Sequence, residues 1–174
     1  MIKKSIPSAT LIAILSIGYA NAQAATATST MLNTVTITNS CSIVAVGFTT
    51  TYDPIVTNAT TNQDVTAIVT TNCTVGATPV ITLGQGANSN TGSTDAIPLR
   101  RLTSGGGTPS FLNYSLFSDT GRTVTWGNTA ATAPTAVVAT AVPTISTIYA
   151  RVPFGQTSTK AAVYTDSVVA TVTF

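Results

Sequence analysis

Cys41 and Cys73 are the residues of this 174-residue chain whose types could most readily do chemistry. A thiol pair can bind a metal, act as a reactive centre or form a disulfide. The chain contains no His, and two widely spaced thiols without His do not make a common zinc site. In an exported chain an even cysteine count indicates a disulfide, which would stabilise a loop of this size by roughly 3 to 4 kcal/mol.

Catalytic combinations are scarce among the remaining side chains. Without His there is no Ser-His-Asp or Cys-His pair, and without Glu a carboxylate pair would need two of five scattered Asp residues. Asp119 and Asp166 adjoin turns, where Asp is expected to hydrogen-bond the backbone. The Gly-rich stretch 104–108 lacks the Lys and the following helix of a phosphate-binding loop. The sequence therefore predicts no enzyme, cofactor or metal.

Other polar and aromatic residues favour structural roles. Arg100 and Arg101 could bind an anion, but such a pair more often forms a solvated strand edge that discourages sheet-to-sheet pairing. Trp126 and the Tyr residues are expected to anchor a core or an interface, with a sugar-stacking platform as the alternative.

Residues 1–24 have the pattern of a secretory signal peptide. Lys3 and Lys4 precede an apolar run that ends in small residues, and the run is short for a membrane span. We expect cleavage after Ala22 or Ala24, and a retained anchor is the alternative. Cleavage would leave five basic and five acidic residues. A neutral chain predicts no nucleic-acid partner and little protection from self-association.

The elements that position these residues are predicted to be strands. Thr and Val abound, and their branched side chains suit a pleated surface better than a helix. After residue 24 no segment shows sustained helical periodicity, and short alternating runs are separated by Gly, Pro and Asn turns. The sequence therefore predicts an all-β antiparallel sandwich or barrel.

Two alternating segments lie near the ends of the chain. Residues 164–174 predict a half-buried strand with one mostly apolar face, which comprises Tyr164, Asp166, Val168, Ala170, Val172 and Phe174. Chain ends normally fray unless something holds them, so we expect a partner to require this strand. Near the other end, one face of residues 31–38 comprises Met31, Asn33, Val35 and Ile37.

Seven motifs, in order, resemble the spore coat protein U domain family, which includes subunits of archaic, Csu-type chaperone-usher pili. The motifs are NSCSI, TNCTVG, ITLGQG, LNYSLFSD, TVTWGN, IYARVPFGQTS and the terminal YTDSVVATVTF. They cover nearly the whole chain after the leader. The resemblance implies an incomplete immunoglobulin-like sandwich that lacks its final strand and is completed by donor-strand exchange.

The same resemblance implies how such a subunit assembles. A periplasmic chaperone fills the open groove, and an outer-membrane usher then replaces the chaperone with the N-terminal extension of a neighbouring pilus subunit. In this chain the extension would be residues 25–38, with Met31, Asn33, Val35 and Ile37 facing the groove, and the domain would be 39–174. The groove edge that binds the chaperone would comprise Tyr164, Val168, Ala170, Val172 and Phe174. Alternatively, residues 25–38 pair within their own domain.

The function implied is a structural subunit of a secreted cell-surface pilus that supports adhesion and biofilm formation. Two alternatives remain at this point. The chain could be a secreted β-sandwich binding or adhesin module, or a structural protein of a spore or cell coat.

Overall fold

The computed structural model describes residues 24–174, in which seven β-strands account for nearly all of the regular structure. The predicted signal peptide, apart from residue 24, lies outside the described residues. Two single-turn 3-10 helices occur, Thr57–Ala59 and Ala130–Thr132. Over residues 24–174 no helix has the length and hydrophobicity needed to cross a membrane.

The strands form two antiparallel sheets. The larger has the order β1-β2-β6-β5-β4 and the smaller pairs β3 with β7. The strands are β1 Cys41–Val46, β2 Gln63–Cys73, β3 Val80–Leu83, β4 Arg100–Thr103, β5 Phe111–Phe117, β6 Thr144–Val152 and β7 Ala170–Thr173.

A single core joins the two sheets. Val69 and Ala150 of the large sheet are fully buried, and Leu83 of the small sheet belongs to the same apolar cluster. Successive strand residues point to opposite faces, so one face of each strand supplies this core. Trp126 is 0% exposed and its indole N–H donates to the Ile81 carbonyl at 2.9 Å. The expectation that Trp126 is a core residue is confirmed.

The predicted disulfide is confirmed. Cys41, the first residue of β1, is paired with Cys73, the last residue of β2, and the two are bonded. Next to it the Thr74 amide donates to the Ser40 carbonyl at 2.8 Å. The disulfide therefore fixes the pairing of β1 with β2 at the point where the chain enters the domain.

The terminal strand is shorter than predicted. Its side chains alternate over residues 164–173 as expected, with even-numbered residues more buried than odd ones, but β7 covers only Ala170–Thr173. The segment changes partner along its length, because Thr165 bridges Thr103 at the end of β4 whereas Val169 bonds Gly84 after β3. Phe174 lies beyond β7 and is half exposed.

Residues 24–36 do not belong to the compact unit that residues 37–174 form. They contain no strand, and Met31 and Val35 are 79% and 89% exposed. Ile37, at the start of the larger unit, is 82% exposed.

Candidate functional site

An open cleft of about 1240 Å³ lies along one side of the sandwich, between residues 45–55 and residues 159–170. Its floor consists of core side chains from both sheets. These are Ala67, Leu83, Leu102, Leu112, Tyr114, Leu116, Ile148 and Val152. The cleft thus exposes part of the hydrophobic core of residues 37–174.

The first wall of the cleft is the terminal segment, and one edge of β7 is free there. The Gly84 amide donates to the Val169 carbonyl at 2.8 Å, and Thr171 lies opposite Thr82 in the same register. Because alternate residues of an antiparallel strand direct their backbone groups to opposite sides, those of Val168, Ala170 and Val172 point away from β3. Among the described residues no strand is hydrogen-bonded to β7 on that side, although β1 lies near β7.

The second wall is the segment that follows β1. Phe48 and Tyr52 pack against the core, and the Tyr52 hydroxyl donates to the Pro153 carbonyl at 2.8 Å. Asp53 accepts hydrogen bonds from the Ile55 and Val56 amides, which lower the pKa of its carboxyl. The Phe48 and Tyr52 contacts hold the wall against the domain, and the Asp53 hydrogen bonds shape the wall itself.

The structure places the predicted groove-edge residues unequally. Tyr164, Val168 and Ala170 line the cleft. Val172 packs against the core cluster farther along β7, whereas Phe174 lies at the chain end outside the cleft lining. The role of all five in binding a partner strand stays a prediction.

The predicted donor residues Met31, Asn33, Val35 and Ile37 all lie in the exposed, strand-free residues 24–40. The alternative was that this segment pairs within its own domain. Among the described residues the segment takes part in no β-sheet. Their insertion into a neighbouring domain stays a prediction.

A partly buried polar cluster borders the cleft, and the sequence reasoning missed it. Asp166 accepts hydrogen bonds from the Ala87 amide at 2.9 Å and from the Asn88 amide at 3.2 Å. It also accepts one from the Tyr114 hydroxyl at 2.7 Å. Burial first, and then this hydrogen bond, raise the pKa of Tyr114, so the hydroxyl keeps its proton. Asp166 is structural, as expected, but its partners are distant in sequence.

Arg100 lies in the same region, and the prediction of a solvated edge is wrong for it. Arg100 is 1% exposed and donates to the carbonyls of Leu83, Gly84 and Trp126 at 2.8 to 2.9 Å. Burial lowers the pKa of Arg100 to about 10, while the nearby Asp166 opposes that shift. Strand alternation places Arg100 on the same face as Leu102, and this pattern could have predicted that Arg100 is buried.

Arg101 points to the other face of β4. It stacks over the Phe111 ring at 4.1 Å and donates to the Asn88 carbonyl at 3.0 Å. No group of three or more His, Cys, Asp or Glu suited to a metal occurs within residues 24–174.

Comparisons with known proteins agree with this architecture. The model of the Spore Coat Protein U domain matches residues 27–171. Protein U of Myxococcus xanthus is 38% identical over 180 residues, which cover 99% of this chain and 98% of that protein.

A solved structure is also similar, namely the CsuC-CsuE chaperone-tip adhesion subunit pre-assembly complex from archaic chaperone-usher Csu pili of Acinetobacter baumannii. The match has a TM-score of 0.56 and 17% identity, and it covers 80% of this chain but only 40% of that chain. At this identity the likeness establishes the fold, and the all-β, immunoglobulin-like antiparallel sandwich that the family resemblance implied is confirmed. From the extent of the domain match and the near full-length relative, the chain belongs to the Spore Coat Protein U domain family.

Proposed function

We propose that this protein is a structural, non-enzymatic subunit of a surface pilus and that it is assembled by donor-strand exchange. The open cleft beside the free edge of β7 is the observation that carries the proposal. Apolar side chains left in contact with water and backbone groups without partners both cost free energy. A strand supplied from outside would cover the floor and pair with the edge at the same time.

The proposed donor is residues 25–38 of a neighbouring copy. This assigns residues 1–24 to a signal peptide and residues 39–174 to the domain that receives the strand. Met31, Val35 and Ile37 would fill the cleft, with Asn33 on the same face, while the donor backbone pairs with β7. Their exposure supports this role, because large apolar side chains in water gain from burial.

The proposed partners follow from the same cleft. A periplasmic chaperone would occupy it before assembly, and an outer-membrane usher would exchange the chaperone for the next subunit. The structural neighbour is a chaperone-bound subunit complex, which supports a chaperone partner for this fold. The protein would then be secreted through the periplasm into a cell-surface pilus, where adhesion and biofilm formation would be its contribution.

A coat protein is the second candidate function, and the match of residues 27–171 to the Spore Coat Protein U domain favours it. Such a protein could use the same cleft to link copies on a surface. The two functions differ in their dependence on an usher. Deleting the usher should abolish surface assembly of a pilus subunit and leave assembly of a coat protein intact.

The direct test of donor-strand exchange uses the chain that begins at residue 25. Incubated at high concentration, it should form oligomers that survive SDS without boiling, because donor-strand polymers are kinetically stable. An excess of synthetic peptide 25–38 should cap the cleft and suppress the oligomers. Failure to form them, or oligomers insensitive to the peptide, would reject the proposal.

A further inference from the structure

The small sheet is too short to hold its own edge in place. β3 and β7 share four residue pairs, and no strand among the described residues is hydrogen-bonded to the other side of β7. Isolated two-stranded sheets are marginally stable at best in water. Contacts beyond this ladder therefore help to hold β7 in position, namely the packing of Ala170 and Val172 on the core and the polar contacts of the segment before β7.

Asp166, four residues before β7, makes such contacts with two separate elements. Its Oδ1 atom accepts from the amides of Ala87 and Asn88 and from the Asn88 side chain, in the loop that follows β3. Its Oδ2 atom accepts from the hydroxyl of Tyr114, which belongs to β5 of the large sheet. One carboxylate thus ties the terminal segment to both sheets.

The loop that Asp166 binds is shaped to receive it. Gly86 has φ +86°, a conformation that favours glycine, and a Cβ atom at this position would overlap the Asp166 carboxylate. Arg100 holds the start of the same loop through the Leu83 and Gly84 carbonyls. The carboxylate therefore binds a loop that the core already fixes.

From these contacts we propose that Asp166 is a positioning residue for strand uptake. Gly86, Tyr114 and Asp166 form a latch, here called the Asp166 latch, that holds the start of β7 before any donor strand arrives. The backbone groups on the free edge are then presented in a fixed geometry, so an incoming strand does not bear the cost of ordering them. This inference rests on the proposed function, in which a donor strand docks on that edge.

Two substitutions test the latch, with synthetic peptide 25–38 as the probe and the chain from residue 25 as the receptor. Asp166→Ala should weaken peptide binding by about tenfold or more, since it removes charge-assisted hydrogen bonds. Tyr114→Phe should weaken binding less. Because the two side chains share one hydrogen bond, the double variant should lose less than the product of the single losses.

The matched control is Asp119→Ala. Asp119 also caps backbone amides, those of Thr123 and Val124, but it does not line the cleft. This variant should bind the peptide as the unaltered chain does. Wild-type affinity in Asp166→Ala would overturn the latch.

Hydrogen exchange separates positioning from general stabilisation. In the peptide-free chain, the latch variants should lose protection at the Thr171 and Thr173 amides while β2 and β6 keep theirs. Equal loss in β2 and β6 would mean that Asp166 merely stabilises the whole fold, and would overturn the latch. If Asp166→Ala does not fold, peptide binding and hydrogen exchange are both measured on Tyr114→Phe. If the unaltered chain does not bind the peptide, donor-strand exchange fails, while hydrogen exchange still decides the latch.

Discussion

Arg100 occupies the core of this domain because its guanidinium group finds backbone carbonyls there. Two of these carbonyls, Leu83 and Gly84, lie at the end of β3, and the third belongs to Trp126. A buried cation is costly unless it is paired or hydrogen-bonded. Here those hydrogen bonds join β4 of the large sheet to the end of β3 in the small one. The Arg100 side chain therefore stabilises the contact between the two sheets.

Arg100→Met should therefore destabilise the domain. Methionine fills similar space but leaves the carbonyls of buried Leu83 and Trp126 and of partly buried Gly84 without this donor, and we expect the free energy of unfolding to fall by about 2 to 4 kcal/mol. Urea denaturation of the peptide-bound chain measures this. Arg101→Met is the matched control, and it should cost less than about 1 kcal/mol since Arg101 is only partly buried. Equal losses in the two variants would contradict the assigned role.

At the scale of elements, the alternation of side chains predicted strands, but it did not predict which strands pair with each other. The alternation of residues 164–174 identified the inward face of the terminal segment. The switch of that segment from Thr103 to β3 depends on contacts distant in sequence. For the same reason the sequence did not reveal that Asp166 meets Tyr114.

The terminal segment provides a paired test of its role in chaperone binding. Val168 lines the cleft, whereas its neighbour Val169 is exposed on the opposite face. Val168→Asp should prevent a stable chaperone complex, because it places a charge where an apolar strand must pack. Val169→Asp should leave the yield on copurification unchanged. A normal complex with Val168→Asp would exclude this segment as the binding edge.

The N-terminal segment allows a similar comparison between its two faces. Val35→Asp or Ile37→Asp should block incorporation into fibres while chaperone binding persists, since the donor and the acceptor are different parts of the chain. Thr36→Asp, on the other face, should be tolerated. Fibre yield is measured by SDS gel without boiling. Normal polymerisation of the Val35 and Ile37 variants would show that another segment is the donor.

For the whole molecule, composition and alternation predicted an all-β antiparallel sandwich or barrel, of which the structure shows the sandwich, and the even cysteine count predicted its disulfide. The cleft could not be located by such reasoning, because its walls are residues 45–55 and 159–170, which are far apart in the chain. Only the family resemblance predicted where the cleft lies. Under the proposed function, the apolar floor beside a free strand edge would be closed by a strand from a second chain.

Residue-resolved hydrogen exchange across β7, with and without peptide 25–38, tests this dependence most directly. The register predicts that the Thr171 and Thr173 amides are protected by β3 from the start. The Val168, Ala170 and Val172 amides should exchange freely in the lone chain and become protected only when the peptide binds. Protection of these three amides without the peptide, or no change on its addition, would contradict an open domain completed by a donated strand.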